Sequence, residues 1–152
     1  NVIITSSSDE KLARARALGA THGINYANEP DWDKAVMALT DKAGVDQVVE
    51  VGGAGTIGKS INAARLGGTI TIIGVLAGNA SDLDLRPVLM KGLRLHGVFV
   101  GSREMFEAMN RAITAHRIEP VIDRVFERDQ IREAFEHMAS GRHFGKIVVR
   151  MQ

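Results

Sequence analysis

Apolar residues along this chain switch between two spacings, and the switches mark its elements. Residues 2–5 form a short β-branched run that predicts a strand. Ser7, with Glu10 three positions on, forms a capping box for a helix that presents Leu12, Ala15 and Leu18 on one face and stops at Gly19. A brief strand is predicted at 23–26. Asp31 then caps a second helix in which Trp32, Val36 and Leu39 align, and Gly44 ends it. Residues 46–51 read as a nearly continuous apolar strand. A turn of Gly52, Gly53, Ala54 and Gly55 comes next, then a helix with Ile57, Ile61 and Ala64 in register that Gly67 and Gly68 break. Residues 69–75 are apolar on both faces, the pattern of a parallel strand covered by helices on each side.

The second half continues the alternation. Residues 83–91 predict a short helix with Pro87 in its first turn, leading into a strand at 94–100. Ser102 caps a helix whose Phe106, Met109 and Ile113 share a face. A strand at 121–126, a helix at 129–140 with Ile131, Phe135 and Met138 aligned, and a last strand at 146–149 complete the chain. Strands alternating with helices of this length imply right-handed βαβ crossovers, hence an α/β fold with a doubly wound parallel sheet, Rossmann-like in kind.

In such sheets ligands lie over the carboxyl ends of the strands, so the candidate residues are those just after each strand. Ser6, Ser7 and Ser8 come after the first, with Lys11 and Arg14 on the helix beyond. Hydroxyls and cations at a helix N-terminus suit a phosphate, although Asp9 stands close by and plain capping accounts for the serines equally well. After the strand at 46–51, the residues Val51, Gly52 and Gly53 form a turn that brings backbone close to a ligand or simply meets the needs of a tight βα connection. Gly53, Gly55 and Gly58 match a phosphate-binding spacing, but in the wrong βα unit. Gly74 and Val75 make an analogous turn, and Gly101 with Ser102 closes the set.

Composition narrows the classes. The 152 residues carry a net charge of +1 and no basic run, which disfavours nucleic acid and other polyanions. Zero cysteines remove disulfides, thiolate nucleophiles and cysteine-based zinc sites. The longest apolar stretch, 69–77, is half the length a bilayer needs, and no signal-peptide pattern opens the chain. A soluble, cytoplasmic protein with no membrane partner is expected. His22, His96, His116, His137 and His143 are scattered, without metal-ligand spacing, and read as surface or structural. No catalytic group and no metal ligand is assigned.

The blocks VIITSSSDEKLARARALGA, INY, GVDQVVEVGG, GGTITIIGV, KGLRLHGVFVGSRE and HFGKIVV, in this order, resemble the medium-chain dehydrogenase/reductase superfamily, in its zinc-type alcohol dehydrogenase-like and quinone oxidoreductase-like branch. The resemblance implies a nicotinamide dinucleotide, and the hydroxyls and cations after the first strand favour NADP over NAD. The resemblance places Ser6, Ser7 and Lys11 near the adenosine ribose, Val51, Gly52 and Gly53 under the ribose and pyrophosphate, and Gly74 and Val75 at the nicotinamide ribose. Val98, Phe99 and Val100 would present backbone to the carboxamide, and Lys146 would reach the phosphates. The strand at 94–100, at the sheet edge, would pair with a second subunit to form a homodimer.

The resemblance also implies what the chain lacks. The family's first strand, its glycine-rich pyrophosphate loop and the helix after it would precede residue 1, leaving the Rossmann-like sheet incomplete. Residues 1–116 would be a partial dinucleotide-binding domain, and 117–152 a segment that packs on a catalytic domain, with any zinc ligands, lying upstream. The parent would be an NAD(P)-dependent oxidoreductase acting on a small-molecule carbonyl, alcohol or activated alkene, and this portion alone would be inactive. Two rival readings are a noncatalytic nucleotide-sensing or dimerisation module and a methyltransferase.

Overall fold

The computed structural model of the chain describes residues 1–80 and 82–151. In chain order the elements are β1 (Ile3–Ser6), α1 (Asp9–Ala17), β2 (His22–Asn25), α2 (Trp32–Leu39), β3 (Val45–Glu50), α3 (Ile57–Ala63), β4 (Ala64–Ile72), α4 (Arg86–Lys91), β5 (Arg94–Gly97), α5 (Arg103–His116), β6 (Ile122–Glu127), α6 (Ile131–Ala139) and β7 (Lys146–Arg150). Every strand pairing is parallel, as an α/β Rossmann-like fold requires. The chain divides into two compact units, Asn1–Val100 and Gly101–Gln152.

The first unit holds two sheets, β1–β2 and β3–β4–β5. Ser6 stands opposite Asn25, and Glu50, Ile72 and Gly97 form a row across β3, β4 and β5. Parallel strands in this register finish side by side, so the residues beyond their carboxyl ends gather at one edge. β1 is paired only toward β2 and β3 only toward β4, so each keeps an open edge among the described residues. Side chains bridge what hydrogen bonds do not. Ile24, Val36 and Ala63 form a buried cluster against which both Ile3 of β1 and Val45 of β3 pack. A second cluster joins Ile57, Ile61, Ala64 and Ile70, with Val48 and Val88 against it.

Helix α3 ends inside this core, where its last carbonyls lack intrahelical partners. Lys91 of α4 supplies them: its ammonium donates to the carbonyls of Ile61, Asn62 and Ala64 at 3.0, 2.8 and 2.9 Å. Burial holds the Lys91 pKa below the ordinary lysine value.

Several boundaries differ from the sequence expectation, each for a local reason. Ser8, not Ser7, is the N-cap of α1; its backbone is extended and its hydroxyl accepts from the Lys11 N–H at 3.3 Å. Asp31 precedes α2 but its carboxylate pairs with the Lys34 ammonium at 2.7 Å instead of capping the helix. Gly67 and Gly68 do not break α3. They sit within β4, in a bulge where Val45 pairs with Ala64 and Gln47 with Thr69, and Gly67 takes φ +69. The strands expected over 69–75 and 94–100 end at Ile72 and Gly97. Leu18 and Leu39, aligned with their helices' apolar faces, stay largely exposed.

In the second unit β6 pairs with β7 and packs against α6. Phe126 is its fully buried anchor. His137 Nε2 lies 2.7 Å from Asp123 Oδ2, and the Phe144 N–H donates to the other carboxylate oxygen at 2.9 Å. That carboxylate ties α6 and the approach to β7 onto β6. Ser102 caps α5 by accepting from the Met105 N–H. The apolar positions Phe106 and Met109 of α5, and Ile131, Phe135 and Met138 of α6, remain exposed.

Ile61 is 1% exposed at the centre of the second cluster. Ile61→Ala is expected to lower stability by about 2–5 kcal/mol in urea denaturation, the usual cost of such a truncation. A loss under about 1 kcal/mol would mean that this cluster is not the core of the first unit.

Candidate functional site

The edge where β3, β4 and β5 end is organised by one side chain. Glu50, the last residue of β3, is 3% exposed. Its Oε1 accepts from the N–H groups of Gly52 at 2.7 Å and Gly53 at 3.0 Å and from the Thr56 hydroxyl, while Oε2 accepts from the Ser60 hydroxyl. Burial alone would raise its pKa. The hydrogen bonds from Ser60, Thr56, Gly53 and Gly52 outweigh that and hold the carboxyl below its ordinary value, so the group is a buried anion satisfied by dipoles.

The turn that Glu50 holds interlocks with the turn after β4. The Ile73 N–H donates to the Glu50 carbonyl at 2.9 Å, Leu76 to Val51 at 3.1 Å, Ala77 to Gly52 at 2.7 Å and, in return, Ala54 to Gly78 at 2.9 Å. So close a backbone approach leaves no room for side chains at two points. A Cβ on Gly53, which has φ +73, would stand 2.8 Å from the Val75 Cα and closer still to the Gly78 carbonyl; one on Gly74 would stand 2.9 Å from the Val51 carbonyl. These glycines serve loop-against-loop packing. The apparent phosphate fingerprint dissolves in the same geometry. Gly55 abuts Ala77, and Gly58 lies in α3 facing open space. The N–H groups of Gly52, Gly53 and Ala54 are all engaged internally, so the turn presents a surface and not a set of anion-binding donors.

That surface is apolar. Val51, Ile73, Val75 and Val98 are about half exposed along the edge, and Phe99 and Val100 are 92% and 76% exposed beyond β5. The Val98 N–H still bonds the Ile72 carbonyl at 3.0 Å, after which the chain leaves the sheet with Val100 at φ +40. The structure therefore brings Val51, Gly52, Gly53, Gly74, Val75, Val98, Phe99 and Val100 to one edge of the three-stranded sheet.

Ser6, Ser7 and Lys11 stand together at the corresponding end of β1. The Ser6 hydroxyl accepts from the Ser8 N–H at 3.2 Å, Ser7 is exposed and Lys11 is partly buried in the first turn of α1. Asp9, the acid beside this corner, accepts from the Asn25 side-chain amide at 2.8 Å. That amide's own oxygen is fixed by the Ala27 N–H at 3.0 Å. Lys146 belongs to the second unit, exposed at the start of β7, its N–H donating to the Val121 carbonyl. Among the described residues no three His, Asp or Glu side chains converge as metal ligands. No helix among them is long and apolar enough to cross a membrane.

Sequence reasoning places Glu50 before the glycine turn without a role. A glutamate ending an apolar strand, with hydroxyls six and ten positions on, is the signal that could have found it. The Asp123–His137 pair leaves none, its members being 14 positions apart on different elements.

Residues 1–115 match the zinc-binding dehydrogenase family. A zinc-type alcohol dehydrogenase-like protein of Schizosaccharomyces pombe is 41% identical over 155 residues, spanning 99% of this chain and 45% of that protein. An L-threonine 3-dehydrogenase of Anaeromyxobacter sp. (strain Fw109-5) is 31% identical over 98% of this chain and 43% of its own length. A solved NAD-dependent alcohol dehydrogenase superposes with a TM-score of 0.88 at 33% identity, over 100% of this chain and 44% of that one. A 2-octenoyl-CoA carboxylase reductase solved with NADP does so with 0.85 at 28% identity, over 95% and 36%. The chain thus spans less than half the length of these relatives.

Two measurements probe the Glu50 network. Gly53→Ala is expected to destabilise the protein by roughly 2 kcal/mol or more, because it combines positive φ with a backbone clash; an unchanged melting temperature would show that the two turns do not interlock in solution. A carboxyl depressed on folding contributes stability above its unfolded value and loses it as pH falls through the folded one. Acid titration of stability should accordingly be steeper in the wild type than in Glu50→Gln below the ordinary carboxylate range. Superimposable curves would contradict the assigned charge.

Proposed function

The chain belongs to the zinc-binding dehydrogenase family, and on that premise we propose that it is the cofactor-binding portion of an oxidoreductase. The enzyme moves hydride between a nicotinamide dinucleotide and a small-molecule carbonyl, alcohol or activated alkene. One observation carries the reading: three parallel strands end at one level, and the residues beyond them form a continuous apolar edge cornered by glycines. A long, flat, partly aromatic ligand fits such an edge; a compact metal-bound substrate does not.

On this reading Val51, Gly52 and Gly53 lie under a ribose, and their inward-turned N–H groups leave the pyrophosphate to donors outside these residues. Gly74 and Val75 flank the second ribose, and Val98, Phe99 and Val100 present main chain to the carboxamide. When bound, the cofactor supplies the hydride chemistry, while this chain binds and orients it. Residues 1–116 form the dinucleotide-binding part and 117–152 the segment that packs on the remainder of the enzyme. A homodimer through the free edge of β5 (Arg94–Gly97) and a cytoplasmic address complete the proposal.

NADP is favoured over NAD by the corner at β1. Ser6 and Ser7 stand where an acid would accept hydrogen bonds from a ribose 2′-hydroxyl, Lys11 adds a cation, and the Asn25 amide engages Asp9. Fluorescence titration of the whole enzyme that carries this chain with NADPH and NADH tests both steps. NADPH should bind more tightly, and Lys11→Ala should cut that preference by about tenfold, the value of a charge-assisted contact near 1.4 kcal/mol. Equal or reversed affinities would overturn the preference, and no saturable binding of either would overturn the cofactor reading itself.

A further inference from the structure

Glu50 is a buried charge with no counter-ion among the described residues, and cofactor binding as proposed gives it no task. Such a group is costly to bury unless it is well hydrogen-bonded, and here four backbone and hydroxyl donors reach it, three on Oε1 and one on Oε2. The donors come from two places. Gly52 and Gly53 belong to the turn, whereas Thr56 and Ser60 belong to α3 and the residue preceding it. One carboxylate therefore couples the turn to the helix. The turn is coupled in its own right to residues 73–78 through the four backbone bonds between Glu50, Val51, Gly52 and Ala54 on one side and Ile73, Leu76, Ala77 and Gly78 on the other.

Resting on the cofactor reading, we propose that Glu50 is the positioning residue of the binding edge: its carboxylate sets the conformation of the 51–55 turn and, through the interlock, of the 73–78 turn. It need touch no ligand to do so. With the N–H groups of Gly52 and Gly53 turned inward onto Oε1, the carbonyls of Val51 and Gly52 are aimed at Leu76 and Ala77, and the apolar side chains of Val51 and Val75 share one rim. Without an acceptor at this point, two backbone donors, one partly and one fully buried, lose their partner. The turn can satisfy them only by rearranging, and any rearrangement displaces the second turn.

The role predicts that an uncharged isostere rescues what a truncation destroys. In Glu50→Gln the side-chain oxygen still accepts from Gly52 and Gly53, and the amide can donate to a Ser60 hydroxyl that rotates to accept. In Glu50→Ala no acceptor is left. NADPH titration of the whole enzyme that carries this chain should show Glu50→Ala weakened by about tenfold or more and Glu50→Gln within roughly threefold of wild type. Amide resonances of Gly53, Ala54 and Gly78 should move in Glu50→Ala, while those of Ile4 and Ile24 in β1 and β2 stay in place. Ile61→Ala, which destabilises the same unit without removing a donor to Glu50, should lower stability without changing affinity. If Glu50→Ala fails to fold, Glu50→Asp, one methylene too short to span both turn and helix, takes its place with the same expectation.

Affinity in Glu50→Ala equal to wild type would overturn the proposal and leave the cofactor reading standing. Affinity falling in parallel with stability in both Glu50→Ala and Ile61→Ala would also overturn it, since the residue would then be merely structural. Wild-type protein that binds neither NADPH nor NADH would remove the cofactor reading and this inference with it.

Discussion

The shape of the candidate site depends on one buried carboxylate, that of Glu50, which meets no cationic partner among the described residues. A charge in that position has to be met by dipoles, and the dipoles that meet it are those of the turn after its own strand and of the helix beyond. Each donor that satisfies Glu50 is one that cannot face outward. The glycine turn thereby becomes a surface of carbon and engaged carbonyls, and a neighbouring turn can close against it at backbone distance. The requirement for glycine at 53 and 74 comes from that closeness, one step removed from the carboxylate.

This chain of causes explains which parts of the molecule were legible in its sequence. Alternation of β-branched runs with helical spacing located all the strands and helices, because burial on one face or both is a local property of the pattern. Ends were less legible. Ser7 and Ser8 are equally good caps by composition, and the choice fell to the one whose backbone is extended. Gly67 and Gly68 looked like a helix stop, yet they relieve a bulge within β4 whose existence depends on pairing with β3, some twenty residues away. The glycine edge was legible as a set of positions, and all of its members in the first unit converge. The reason for it was not. Glycine for a ligand and glycine for a neighbouring turn look alike in one dimension, and only the contacts from 53 to 75 and from 74 to 51 tell them apart.

The two sheets of the first unit pose a complementary question of cohesion. Hydrogen bonds run within β1–β2 and within β3–β4–β5, and the link between them consists of side chains: Ile3 and Val45 meet the same buried Ile24, Val36 and Ala63. Apolar contact of this kind is non-directional and tolerates relative sliding, whereas a ladder of backbone bonds fixes register. The serine corner at β1 and the glycine edge at β3–β5 therefore sit on different hydrogen-bonded frameworks. A dinucleotide long enough to touch both would gain from any element that locks the two sheets together, and would itself act as such an element.

The second unit shows the same economy in another form. Its β6, β7 and α6 are held by the Asp123 carboxylate, which reaches His137 on the helix and the Phe144 N–H before β7, and by the burial of Phe126. That suffices for one side of α6 only. Ile131, Phe135 and Met138 repeat at helical spacing and yet face solvent, and Phe106 and Met109 do the same on α5. Helices of nine and fourteen residues gain most of their stability in water from covering such a stripe, not from propensity. Both stripes, in the unit Gly101–Gln152, are therefore apolar surface that the contacts of Asp123 and Phe126 leave uncovered.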